Sequence, residues 1–414
     1  MTRASTCTST LRMNSKDAKI FEDIVLLEGG DWSFVCIVNK KVRVPKGEEG
    51  LLFMRKFLKE NYKAKKAGDA PFTGGFVGFL SYDLGVKWQG VKQRVKKDKM
   101  CPSAHFVYTD NVIAIPSGTL AGSREGYAKI PTPSSNITYK EYAQKLRAIK
   151  KYLFSGDTYQ VNFSQRFTAP FSGNAFDLYR KITKINPSPF QFFMETPKFA
   201  VVSNSPERLF RIGPNGIIET CPIKGTVPRG KTAAEDRANI KRLMKSEKEH
   251  AELSMIVDLE RNDLGKICVP GSVKVTDHRA VEKYSHVIHT VSKIRGKLEG
   301  KYDWLDALHA LFPGGSITGC PKKRTVEIID ELEDYERGVY CGSAGYVDLS
   351  GECDFNIMIR TLFLDKVKNR PGAESQRLIF NSGGGIVVDS DPKKEYEETL
   401  HKAKALTSAI MSDA

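Results

Sequence analysis

Strand-like and helical runs follow one another along this chain without the regular strand–helix–strand alternation of a doubly wound parallel sheet, and that irregular order constrains the fold most. Short apolar runs broken by glycines, such as IVLLEGGDWSFVCIV and GGFVGFLSYD, make residues 20–130 a β-rich N-terminal subdomain. The Pro/Ser/Asn stretch PTPSSN at 131–136 reads as a loop and a subdomain boundary, with residues 137–414 beyond it. There Thr138 and Glu141 form a capping box ahead of Tyr142, Leu146, Ile149 and Leu153, which predicts a helix from about 139 to 154. Strand-like TYQVNFSQRF, FAVVSNSPERLFRI and GIIETCPIKGTV come next. Thr232 with Glu235, and Ser246 with Glu249, then open a long helical region reaching about Leu264. The expected fold class is α+β, in layers.

Composition narrows the function classes. Hydrophobic residues make up 40% and charged residues 27% of the 414, an ordinary globular mix. No apolar run approaches the roughly 18 residues that span a bilayer, so no membrane association is expected. Eight cysteines without a CxxC pair suggest neither a zinc site nor a disulfide framework, and a reducing, cytoplasmic setting is the default. The Ser/Thr-rich start, residues 1–19, faintly resembles a transit peptide, but a disordered tail before an alternative start at Met13 is the preferred reading. A net charge of +15 invites nucleic acid as a partner. The densest basic run, VKQRVKKDK, lacks aromatic interleaving and no binding module accompanies it, so no nucleic-acid partner is expected. A substrate carrying two carboxylates would also gain from a positive field.

Two carboxylate patterns stand out. Glu249 and Glu252 are three residues apart in a helical stretch and, at about 100° per residue, share one face. Near the C-terminus Asp391 is a natural N-cap and Pro392 a natural first helical residue, so Glu395 and Glu398 share a face as well. Such pairs are usually solvated surface, yet two of them could converge on one hard cation such as magnesium. Gly383, Gly384 and Gly385 form either a tight turn or a nest of backbone N–H groups for an anion.

Seven strings in order carry a resemblance: GDTYQVNFSQRF, SPERLF, PIKGT, HAELSMIVDLERNDLG, FPGGSITGCPK, GYVDLSGECDFNIMIRT, and SGGGIV with its EYEET sequel. Together they resemble the chorismate-utilising enzymes, which include anthranilate synthase and aminodeoxychorismate synthase components I and the isochorismate and salicylate synthases. The likeness is strong over about 135–410 and weaker over 20–130. It implies an anthranilate synthase component I-like fold, with two facing antiparallel sheets flanked by helices and the active site between them. It implies Mg2+ held by Glu252 and Glu398, with Glu249 and Glu395 in support. Tyr346 and Arg360 would hold the enolpyruvyl carboxylate, helped by the backbone of Gly383 and Gly385, and Ser316 joins the substrate-binding set. Glu207 is the implied general acid, His289 the active-site histidine near the ring hydroxyl, and Thr226 a group that positions ring hydroxyls.

Within the family, position 224 separates branches. Anthranilate synthases resemble PIAGT there, and the aminodeoxychorismate branch resembles PIKGT, as this chain does. The resemblance then implies that Lys224 attacks ring C2 as the C4 hydroxyl leaves, and that ammonia enters at C4 and displaces the lysine. LLEGG at 26–30 departs from the LLES of tryptophan-regulated relatives, while NPSPF at 186–190 is close to an anthranilate synthase segment. Anthranilate formation therefore stays open as the enzyme alternative, and a non-catalytic binding subunit as one of another class. No GxCxG glutaminase elbow is present, so ammonia would come from a separate glutamine amidotransferase subunit.

Overall fold

Along Phe199–Ser205, Phe199 and Val201 are buried on one face and Ala200 and Val202 on the other. Side chains alternate across a strand, and covering both faces makes successive positions apolar, which is why its first four residues, FAVV, read as a continuous hydrophobic run. The computed structural model of the protein describes residues 24–29, 32–66, 68–97, 101–116, 131–185, 187–284, 287–366 and 376–411. The expected N-terminal tail, 1–19, lies outside them.

Two antiparallel sheets form the frame. In spatial order the first runs Asn111–Pro116, Trp32–Ile37, Ile24–Gly29, Phe190–Glu195, Phe199–Ser205, Thr361–Asp365, Gln376–Ile386, Val161–Phe171 and Ser134–Ser135. The second runs Ile223–Pro228, Val287–Lys297, Ile217–Thr220, Arg208–Ile212, Cys353–Asn356, Ser343–Asp348, Gly75–Leu80 and Ala104–Thr109, with Lys274–Lys283 also paired to Val287–Lys297. Strands from the 20–130 segment join both sheets rather than forming a layer of their own.

Val25, Phe192, Val201 and Phe363 of the first sheet meet Val77, Phe79, Ala344 and Tyr346 of the second in one apolar cluster, so the sheets face each other. Each fully buried side chain of this size contributes about 1.5–3 kcal/mol. The outer face of the first sheet packs on helices Ala175–Ile185 and Pro392–Met411. The second sheet is backed by Glu48–Glu60, Tyr82–Trp88, Glu247–Gly265 and Trp304–Leu311. The α+β fold with two facing antiparallel sheets flanked by helices is thus the one the sequence predicts.

The caps set the helices. Tyr139–Phe154 matches its expected span, and Glu141 Oε2 accepts from Thr138 N at 2.7 Å while Thr138 Oγ1 accepts from Glu141 N at 3.4 Å. The long region expected to reach Leu264 is two helices, Ala233–Lys245 and Glu247–Gly265. Ser246 between them has extended backbone, and its hydroxyl accepts from Glu249 N at 3.3 Å. At the C-terminal helix, Asp391 Oδ1 accepts from Lys393 N at 3.1 Å and from Lys394 N at 3.0 Å, the expected N-cap.

Candidate active site

The strand Ile223–Pro228 pairs with Val287–Lys297 through a bulge: Lys224 opposes Thr290 and Thr226 opposes His289, with Gly225 as the extra residue. Gly225 has φ +73°, and a Cβ there would fall 2.7 Å from Leu243 Cδ1 and 3.2 Å from Glu249 Oε2. Only glycine satisfies both constraints. The Glu247–Gly265 helix crosses this bulge, so Glu249 lies beside Gly225 and Lys224 Nζ stands 3.6 Å from Glu252 Oε2. The Glu249–Glu252 face is therefore turned toward a strand, not spread on the solvated surface.

Glu207 occupies the floor, 5% exposed. Burial pushes its carboxyl up to about 7, against the opposing pull of Ser316, Lys224 and the Ile223 backbone. Its Oε1 and the Ser316 hydroxyl are both buried without a geometrically sound hydrogen bond among the described residues. Such a carboxyl holds its proton near neutrality, as a general acid must. Behind it Glu260, pushed up to about 8 mainly by burial, accepts from Thr220 Oγ1 at 2.6 Å. Lys322, in the GCPK string, donates to Asp263 of ERNDLG at 2.6 Å and to the Leu311 carbonyl at 3.0 Å. That buried pair ties the Ser316 segment to the helix bearing Glu252.

Thr226 Oγ1 and His289 Nδ1 are 2.8 Å apart. Burial and then the positive charge of Arg360 lower the His289 imidazole to about 4, so the ring is neutral at neutral pH. Arg360, at φ +52°, precedes Thr361–Asp365, and its guanidinium has no hydrogen-bond or ion-pair partner among the described residues. That strand pairs with Gln376–Ile386 only through Arg377 to Ile379. Beyond, Gly383–Gly385 pairs with Val161–Phe171, and Lys402 Nζ donates to Gly383 O at 3.1 Å. The glycines are thus strand, neither tight turn nor nest. A guanidinium without a hydrogen-bond or ion-pair partner suits a carboxylate. The Tyr346 ring stacks on Phe72 at 4.5 Å in the apolar layer between the sheets.

The four carboxylates form two separate pairs. Glu395 accepts from Ser390 Oγ at 2.7 Å, Glu398 pairs with Lys402 at 2.7 Å, and both lie near Gly384. Among the described residues no three His, Cys, Asp or Glu side chains gather where a metal could sit. Oxygen donors suit a hard cation, but the expected convergence on one centre is not seen. The pairs ride on helices backing different sheets, and each has a lysine of its own, Lys224 for Glu252 and Lys402 for Glu398.

A cleft of about 540 Å³ opens beside Glu252, lined by Tyr159, Gln160, Met255, Leu259, Cys320 and Val387 among others. Gln160 was not singled out by sequence reasoning, because an unsatisfied amide leaves no mark in spacing or composition. Among the described residues no helix is long and apolar enough to cross a membrane, and the described cysteines are free.

Residues 30–408 match the family model of the chorismate binding enzymes. Anthranilate synthase component 1 of Saccharolobus solfataricus is 40% identical over 362 residues, 84% of this chain and 84% of that protein. Aminodeoxychorismate synthase component 1 of Bacillus subtilis is 38% identical over 374 residues, 82% of this chain and 77% of that one. The crystal structure of anthranilate synthase component I from Streptococcus pneumoniae superposes with a TM-score of 0.77 at 28% identity, covering 91% of this chain and 92% of the other.

Proposed function

The chain belongs to the family of chorismate-binding enzymes, and from that premise we propose that it aminates chorismate as the synthase subunit of a pair fed by a glutamine amidotransferase. The observation that carries the finer reading is Lys224, whose Nζ is aimed into the site beside Glu252 and close enough to Glu207 to pull on its proton. Lysine attacks only as the neutral amine, and Glu252 Oε2 stands 3.6 Å from it. A bond then forms from Nζ to ring C2, both conjugated ring double bonds shift, and the C4–O bond breaks. Glu207 supplies the proton that lets the hydroxyl leave as water. Ammonia adds at C4 and releases a proton, both double bonds shift back, and Nζ takes up a proton as it departs from C2 to give 4-amino-4-deoxychorismate. Arg360 holds a substrate carboxylate and the Thr226–His289 pair a ring hydroxyl.

The partner subunit is supported by the names of the relatives, each a component 1. Dependence on Mg2+ rests on kinship with this family and on the two carboxylate pairs, which are the residues available to hold it. A bound cation would supply positive charge for a substrate carboxylate.

The second reading is amination at C2 with loss of pyruvate, which gives anthranilate. The relatives weigh toward it: the 40% identical Saccharolobus protein and the superposing Streptococcus structure are both anthranilate synthase components. Lys224 weighs toward the 4-amino product. Incubation with chorismate, Mg2+ and ammonium, followed by mass spectrometry of the products, separates the two.

A further inference from the structure

Gln160 is fully buried, and among the described residues it is the one side chain whose two polar atoms, Oε1 and Nε2, both lack a hydrogen bond. Leaving one such group unmet costs about 1–3 kcal/mol, so an amide orphaned at both ends calls for a ligand. Nothing about its backbone is loose. Tyr159 N donates to the Cys320 carbonyl at 2.8 Å, Asn162 N donates to Thr318 O at 2.8 Å, and Thr158 Oγ1 donates to Gln160 O at 3.0 Å. The amide is thus clamped between the 318–320 segment and Gly385, where a Cβ would lie 2.9 Å from its Nε2. It forms part of the wall of the cleft that Glu252 also lines.

We infer that Gln160 is a ligand-contacting residue of this cleft, its amide holding a neutral group that both donates and accepts a hydrogen bond. A carboxylate would satisfy Nε2 and leave Oε1 unmet, whereas a hydroxyl or ammonia satisfies both atoms. Two sources offer that chemistry here, a ring hydroxyl of chorismate and the incoming ammonia. The inference rests on the proposed amination reading.

Gln160→Met keeps the side-chain length and removes both polar atoms. Calorimetric titration with chorismate alone, and the KM for ammonium at saturating chorismate, separate the sources. A chorismate affinity weakened on the order of tenfold assigns the hydroxyl, and an ammonium KM raised on that order with unchanged chorismate affinity assigns ammonia. Either result, with a melting temperature at or above wild type, supports the inference, because a purely structural glutamine would lose stability instead. Both quantities within about twofold of wild type overturn it. If the methionine variant does not fold, Gln160→Glu, which keeps the shape and removes the amide donor, is read by the same two measurements. An absence of aminated product from the wild-type enzyme would count against the amination reading alone, and the chorismate titration would still decide Gln160.

Discussion

Lys224 Nζ stands 3.6 Å from Glu252 Oε2, with both side chains largely withdrawn from solvent. The contact joins the bulged strand to the helix that crosses it and sets an amine beside a carboxylate. Replacing Glu252 by glutamine leaves Nζ without that charge partner and weakens one of the two carboxylate pairs available to Mg2+. We expect kcat to fall on the order of 10- to 100-fold. Steady-state kinetics check this, and a rate within a few fold of wild type would remove Glu252 from the mechanism.

Glu207 sets the pH behaviour. With its carboxyl raised from 4.5 to about 7 by burial, the proton needed at the leaving hydroxyl is lost as pH climbs through 7, so kcat should decline on the alkaline side. Stability moves the same way. The unfolded chain releases this proton near 4.5 while the folded chain keeps it, so folding is progressively disfavoured between pH 4.5 and 7. Glu260, raised to about 8, adds to that slope. Glu207→Gln should flatten part of the slope in urea titrations while abolishing turnover; an unchanged slope would mean the carboxyl is not raised.

Arg360→Lys keeps the charge and loses the planar fork. A carboxylate held bidentately then loses a charge-assisted hydrogen bond worth about 1.5–3 kcal/mol, and the chorismate affinity should weaken roughly 10- to 100-fold. Titration of chorismate against the variant reports this directly.

Gly225→Ala places a Cβ on a backbone at φ +73° and 2.7 Å from Leu243 Cδ1. Strain of this kind costs about 1–3 kcal/mol, read as a shifted denaturation midpoint at unchanged slope. Because Glu249 lies beside the same glycine, activity should fall further than stability accounts for.

Some of this was legible in the sequence. Thr138 and Glu141 announced their helix because a capping box is local chemistry, and the Glu249–Glu252 spacing put both carboxylates on one face. What spacing could not say was which way that face turns, since only the packing of helix on strand aims it at Lys224. The surroundings of Tyr346 were hidden for a similar reason: its pairing opposite Val77 and its stacking on Phe72 are tertiary facts. The bulge at Gly225 was likewise hidden, because PIKGT does not reveal its register against His289 and Thr290. Spacing could not say either whether the two Glu-x-x-Glu faces meet, since they lie on helices that back different sheets.

Kinship with this family and the two carboxylate pairs support a Mg2+ requirement. Chelation should then suppress turnover and added Mg2+ restore it, with Glu249→Gln weakening the apparent Mg2+ affinity roughly 10- to 100-fold. Full activity in chelator would show that the pairs serve structure alone.

The central claim is that Lys224 chooses the product, and the most direct measurement is product identity from wild type and Lys224→Ala, each given chorismate, Mg2+ and ammonium. The account predicts 4-amino-4-deoxychorismate from the wild type, with an intact mass raised by a covalent adduct on brief quenching, and loss of both in the alanine variant. Anthranilate with pyruvate from the wild type, at a rate indifferent to the lysine, would contradict it.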